Sequence, residues 1–230
     1  RLEYTGGYEL TALNRTRVSG VKSISADIAN LDTILPAFEN QEVVVHLSAY
    51  LEGSWDGNLS TNIIGTYNVY EAARLAGVKR VIFASSGMTI RGWEREEPYK
   101  SIAEGRYDNV PDDFKKLTGH DIRPQGIYGA SKIWGEAIGR HFSDAYGMSV
   151  LCVRIGRVTK EDRPSNVHEA PLYLSQRDVS QILHRCIDAE SDLKYDIFMC
   201  TSDNRWGYRD LTHPREILGY EPEDSAEGFS

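Results

Sequence analysis

Tyr128, Gly129, Ala130, Ser131 and Lys132 spell Y-x-x-x-K at the start of a long helical pattern. Positions i and i+4 of a helix share one face, so the Tyr128 hydroxyl and the Lys132 ammonium are expected to line one pocket. A free tyrosine, with a pKa of about 10, is a poor base near neutrality. A nearby ammonium favours the phenolate and lowers that pKa. About forty residues earlier, the serine pair Ser85-Ser86 ends a strand-like apolar run. Ser86 is placed to hydrogen-bond the oxygen of an alcohol or carbonyl, with Ser85 the weaker choice. The chemistry this set suits is proton transfer on a hydroxyl while hydride leaves the same carbon.

The elements that must position these groups are short apolar runs alternating with longer helical patterns. Tyr8 to Leu13 reads as a strand and Val43 to Leu47 as a buried one; Arg80 to Ser85, Val150 to Ile155 and Asp196 to Cys200 are three more. Asn58 to Ala76 carries Leu59, Ile63, Tyr67, Tyr70 and Ala73 at helical spacing and stops at Gly77. Tyr128 to Tyr146 is a second long helix ending at Gly147, and Ser175 to Ala189 a third. Near-continuous apolar strands alternating with helices predict a parallel sheet covered on both faces: an α/β, doubly wound, Rossmann-like fold. Its nucleotide-binding part is expected over 1–154, and a small C-terminal substrate portion, interleaved with the last strand and helices, over 155–230. The stretch from Arg91 to Ile127, with Trp93, Glu94-Arg95-Glu96-Glu97 and three prolines, is the one long irregular segment. A loop of that length reads as a functional lid or as mobile.

The 230 residues suffice for one sizeable core, or one core and a small lobe. A net charge of −8 and a pI near 5.3 argue against a nucleic-acid binder. No apolar run reaches the roughly 18 residues of a membrane span, and no charged-then-apolar leader opens the chain. Cys152, Cys186 and Cys200 are odd in number, lack C-x-x-C spacing, and read as buried thiols in a reducing, cytoplasmic setting. The histidines show no metal-ligand spacing. A nucleotide-binding sheet is also expected to open with a strand and a glycine-rich turn that cradles a pyrophosphate. This sequence begins instead at Arg1-Leu2-Glu3, which reads as the tail of the following helix. The expectation is therefore that roughly 20–30 residues, the size of a βα unit, precede it.

With these features in hand, the chain resembles the extended short-chain dehydrogenase/reductases, the NAD-dependent epimerase/dehydratase family. Ala26-Asp27-Ile28 resembles the family's acidic turn. Val45-His46-Leu47-Ser48-Ala49 resembles its V-x-H-L-A-A strand end, and Asn62 to Val69 with Glu71-Ala72-Ala73 its N-x-x-G-T-x-N-V-x-E-A-A helix. Phe83-Ala84-Ser85-Ser86 is similar to its catalytic-serine strand. The resemblance implies catalysis by Ser86, Tyr128 and Lys132, with Asn62 in a proton-relay water network. It implies cofactor contacts from Asn14, Arg15, Asp27, Ile28, Leu47, Ser48, Ala49, Asn62, Tyr128, Lys132 and Ile155, with Asp27 holding the adenine and Lys132 the nicotinamide ribose. The implied cofactor is NAD. An acidic residue at Asn14 would repel a 2′-phosphate; Asn14 followed by Arg15 and Arg17 leaves NADP open.

Within the family the chain looks most like the uronate dehydrogenases, which oxidise the anomeric carbon of a hexuronic acid. Arg123-Pro124-Gln125-Gly126-Ile127-Tyr128-Gly129 resembles that branch's R-P-x-G-L-Y-G. Arg154-Ile155-Gly156 with Thr159 resembles R-I-G-x-x-T, and Leu218 to Glu227 the branch's tail. Only about 75 residues follow Arg154, which suits a free monosaccharide better than a nucleotide-linked one. The branch has Asn-His where this chain has Gly87-Met88, and a serine where it has Leu51. Substrate contacts are expected from Ser86, Gly87, Met88 and Arg163, the last as a bidentate grip on a carboxylate. Met88 and Trp93 are also candidates for the sugar site. The resemblance further implies a homodimer or higher homo-oligomer through the two long helices. The leading reading is an NAD(P)-dependent dehydrogenase of a sugar or sugar acid. The alternatives are a nucleotide-sugar epimerase or dehydratase that retains its cofactor, and a non-catalytic cofactor-binding protein.

Overall fold

The computed structural model describes residues 7–229; the expectation placed on Arg1-Leu2-Glu3 lies outside them. In chain order the larger elements are β1 (Thr11–Asn14), β2 (Lys22–Ser25), α1 (Leu31–Ile34) and β3 (Val43–His46). A helical run follows: α2 (Trp55–Gly57), a π-helical stretch (Asn58–Gly65) and α3 (Thr66–Leu75). Next come β4 (Arg80–Ser86), α4 (Tyr99–Ala103), α5 (Gly126–Tyr146), β5 (Ser149–Ile155), α6 (Gln176–Ile187), β6 (Tyr195–Cys200) and α7 (Thr212–Leu218). All strand pairs are parallel: β1 pairs with β2, and β3-β4-β5-β6 form a four-stranded sheet. The fold is the expected doubly wound, Rossmann-like α/β arrangement. β1 and β3 are not hydrogen-bonded to each other, and Thr11, Leu13, Val43 and Val45 line a cleft between them.

Strand alternation divides the core in two. Val81 and Phe83 of β4 and Val150 and Cys152 of β5 face α3 and α5, joining Val69, Tyr70 and Phe142. Ile82, Leu151 and Val153 face the other way, onto Ile182, Leu183 and Cys186 of α6 and onto Phe198 and Tyr208. Both faces are apolar, so β4 and β5 are buried along all but their last residue. β3 lies at the edge, and Val43, Val44 and Val45 are only half-buried where a buried strand was expected. α5 sits close on β4 because Gly135 has no side chain; a Cβ there would run into the Phe83 ring. This brings the helix carrying Tyr128 and Lys132 directly over the strand ending in Ser86. His46, at the end of β3, is buried beside Thr66 (Nε2 to Oγ1, 3.1 Å). Burial, and secondarily the Lys132 charge, lower its pKa to about 3, so it is a neutral packing group.

The segment from Arg91 to Ile127 is not a structureless lid. It forms a 3-10 turn over Arg91–Arg95, α4, and a second turn over Tyr107–Asn109. Tyr99, Ile102, Val110 and Leu117 are buried in the α6-side core. Leu117 also pairs in parallel register with Arg209, with Leu117 N–H donating to the Tyr208 carbonyl (2.8 Å) and Asp210 N–H to the Leu117 carbonyl (2.8 Å). All three cysteines are free and buried. Among the described residues no helix is long and apolar enough to cross a membrane.

Candidate active site

Parallel strands carry their C-terminal ends to one edge of the sheet, where open α/β folds bind ligands. Ser86, at the end of β4, and Ile155, at the end of β5, stand directly opposite one another in register. With Gly87, Met88 and Tyr128 they line a cleft of about 410 Å3. Alternation separates the serine pair. Ser85 points into the core, where its hydroxyl donates to Glu136 Oε1 (2.5 Å). Ser86 stays half-buried at the cleft, accepts from Met88 N–H (3.2 Å) and lines it together with Tyr128.

Tyr128 and Lys132 share one face of α5 but make different contacts. The Lys132 ammonium is buried, 5.7 Å from the centre of the Tyr128 ring, and donates to the Ala84 carbonyl (2.7 Å). Lys132 does not line the cleft. Burial lowers its pKa to about 8, against a raising influence from Glu136. Burial also pushes the Tyr128 hydroxyl up, with the Ser86 hydrogen bond pulling the other way. The expected lowering of the tyrosine by the lysine is therefore not what this arrangement gives: burial sets the direction, and the lysine's ammonium is turned to a backbone carbonyl.

Behind these groups lies a buried ion pair. Arg154 donates through Nε to Glu136 Oε1 and through Nη2 to Glu136 Oε2, both at 2.8 Å. Its third contact is to the Asp121 carbonyl (2.9 Å). Glu136 is one turn beyond Lys132, so the pair fixes both the helix register and the field around the lysine.

The remaining expected residues fall in several places. Asn62, in the π-helical stretch, accepts from Tyr50 N–H (2.7 Å). It donates to the Tyr50 carbonyl (2.9 Å), Asn58 Oδ1 (2.8 Å) and Ser131 Oγ (3.1 Å). Its amide protons are thus committed to protein acceptors, and it ties the loop after β3 to α5. Ile28, Leu47 and Ser48 line the cleft between β1 and β3; Ala49 follows them, half-buried. Leu47 is 58% exposed, an apolar side chain without protein cover at a strand end. Asn14, Arg15 and Asp27 are exposed, with Asp27 accepting from Ala29 N–H (2.9 Å). Trp93 packs against the core rather than the cleft.

Arg163 requires correction. It is exposed, and its backbone brackets Thr159: its N–H donates to Thr159 Oγ1 (3.2 Å), whose hydroxyl donates to the Arg163 carbonyl (2.7 Å). It is not among the cleft residues. Arg91, Arg157 and Arg209 are, and none of the three was picked out from sequence. Arg91 follows Met88 by one turn and Arg157 follows Ile155 by two residues, so proximity in sequence was an available signal. For Arg209 there was none.

Comparison with known proteins agrees with this geometry. A family profile described as the NAD dependent epimerase/dehydratase family matches residues 1–175. The chain belongs to that family. Among its relatives are two proteins of Haloferax volcanii. An NAD-dependent glucose-6-phosphate dehydrogenase is 32% identical over 214 residues, covering 89% of this chain and 77% of that protein. An L-arabinose 1-dehydrogenase (NAD(P)(+)) is 30% identical over 234 residues, covering 95% of this chain and 89% of that protein. The crystal structure of uronate dehydrogenase from Agrobacterium tumefaciens superimposes with a TM-score of 0.79 at 28% identity, over 95% of this chain and 76% of that one. The family assignment and the resemblance to the uronate dehydrogenase branch thus hold, and with them an oxidoreductase or epimerase of the extended short-chain type.

Proposed function

We propose that this protein oxidises a free sugar or sugar acid at its anomeric hydroxyl, with NAD as the hydride acceptor. The observation that carries the reading is that Tyr128 and Ser86 line one cleft at the C-terminal edge of the sheet. The relatives named for glucose 6-phosphate, L-arabinose and uronate make a sugar the natural occupant. Ser86 holds the substrate oxygen, and Tyr128 removes the hydroxyl proton. Lys132, buried and cationic below about pH 8, keeps a positive charge behind the Tyr128 ring and, through the Ala84 carbonyl, holds α5 on the strand that ends in Ser86. Asn62 acts by positioning, since its hydrogen bonds hold the π-helical stretch against α5.

The residues present suit a nicotinamide cofactor. The exposed Leu47 and the neighbouring Ile28 and Ser48 offer an apolar wall with a polar rim, and Ile155 closes the cleft opposite Ser86. Asp27 would hold the adenine, and Asn14 and Arg15 would meet the adenosine ribose, where Arg15 would admit NADP as well. When bound, the cofactor supplies the acceptor for the hydride. A second copy of the chain packs on the outer face of the α3–α5 pair, where Ile64, Tyr67, Leu75 and Tyr146 are exposed.

The test is absorbance of reduced nicotinamide when the full-length protein meets a panel of glucose, arabinose, glucose 6-phosphate, glucuronate and galacturonate with NAD or NADP. Bulk reduction of added cofactor by at least one sugar is expected. Interconversion of a nucleotide-linked sugar without net reduction would instead establish the epimerase alternative.

A further inference from the structure

The cleft beside Tyr128 contains no aspartate or glutamate among its lining residues, but it contains three arginines. Two of them already have carboxylates. Arg91 donates to Glu94 through Nε (3.0 and 3.1 Å) and Nη2 (2.9 Å), and Glu94 is held in turn by the Tyr208 hydroxyl (2.7 Å). Arg157 meets Glu169 at 3.2 Å. Arg209 has none. The residue is 4% exposed, and its buried Nε and Nη1 make no hydrogen bond.

An unpaired guanidinium held out of water is costly, and apart from the Tyr208 ring, whose centre lies 5.1 Å from its Cζ, the surrounding structure gives it no partner. The backbone of Arg209 is pinned by the pairing with Leu117. Gly87, directly after Ser86, leaves the space the guanidinium occupies; a Cβ on Gly87 would collide with Arg209 Nη2. The residue that follows the serine thus lacks a side chain where the arginine's fork reaches the cleft. Planar forks of this kind match carboxylate and phosphate oxygens two at a time.

We infer that Arg209 is the specificity-determining residue of this cleft, gripping a carboxylate or phosphate on the sugar, so that the substrate is an anionic aldose. The inference rests on the reading of the cleft as a sugar site. It places the anion on the residue left without a partner, not on the exposed Arg163.

The experiment is calorimetric titration of glucuronate, glucose 6-phosphate and glucose into the full-length protein, as wild type, Arg209→Met and Arg209→Gln, with the melting temperature of each variant recorded. Wild type is expected to bind at least one of the two anions more than tenfold tighter than glucose, a margin of about 1.4 kcal/mol. Which anion binds tighter distinguishes carboxylate from phosphate. In Arg209→Met that margin falls below about threefold, while the melting temperature holds or rises, because an unpaired buried charge has been removed. Arg209→Gln, which keeps donors without charge, gives the same collapse and decides the matter if the methionine variant does not fold. An anion margin that survives in a folded variant, or a wild type that binds glucose as tightly as both anions, would overturn the inference. Binding is read without turnover. Absence of oxidation on every sugar would therefore count against the proposed reaction while leaving this result to stand or fall separately.

Discussion

Tyr128→Phe is expected to bind sugar and cofactor like the wild type and to lose about 10²–10⁴-fold in kcat, the range typical of a lost general acid/base. Phenylalanine keeps the ring and its packing on α5 and removes only the hydroxyl, beside Ser86 in the cleft. A pH profile separates this from a subtler misplacement. Burial raises the Tyr128 pKa above its ordinary value near 10, so its base form is a minor species throughout the neutral range. Lys132 remains cationic up to about pH 8. Between pH 6 and 8, log(kcat/KM) for wild-type oxidation should therefore rise by about one per pH unit, as each step makes tenfold more phenolate. The residual rate of Tyr128→Phe should be flat over the same window. A variant turning over near the wild-type rate would remove Tyr128 from the role of base.

The second large effect is on stability. Arg154 is fully buried and Glu136 nearly so, and their bidentate pair also accepts the Ser85 hydroxyl. Glu136→Ala strands the guanidinium with one backbone carbonyl. Breaking a buried pair by removing one partner costs about 3–5 kcal/mol, against a total stability of about 5–15 kcal/mol for a typical domain. For a chain of this size the melting temperature should fall by roughly 6–20 °C. The double variant Glu136→Leu, Arg154→Met removes both charges at once and should recover most of the loss in thermal unfolding. A single variant as stable as the wild type would mean that water or a rearranged side chain reaches Arg154. That would undo the account of how α5 is held on β4.

The parts of this molecule legible in the sequence are those governed by short periods. Burial of β4 and β5 on both faces shows as the unbroken apolar runs Val81–Ala84 and Val150–Val153, and the i, i+4 spacing of Tyr128 and Lys132 puts them on one helical face. Gly77 and Gly147 mark the helix ends and adopt positive φ there. β2 escaped because Lys22-Ser23-Ile24-Ser25 has a single apolar residue and takes its stability from pairing with β1. The fold of residues 91–127 escaped because Tyr99, Ile102 and Leu117 are ordered by a core drawn from distant strands and helices. The direction of the Tyr128 shift depends on how deeply the hydroxyl is buried, which spacing does not encode. Arg209 is the clearest case. Its significance is that it lacks a carboxylate or other acceptor, and that shows only once Gly87, Leu117 and the cleft are brought together around it.

Transfer of the hydrogen itself is the most direct test of the central claim. The sugar that reduces nicotinamide fastest, deuterated at its anomeric carbon, would be incubated with the full-length protein and NAD, and the reduced cofactor and the sugar product analysed by mass spectrometry. One deuterium is expected in each reduced nicotinamide, with an equal amount of the oxidised sugar. Reduced cofactor without deuterium, or a sugar rearranged while the added cofactor stays oxidised, would contradict it.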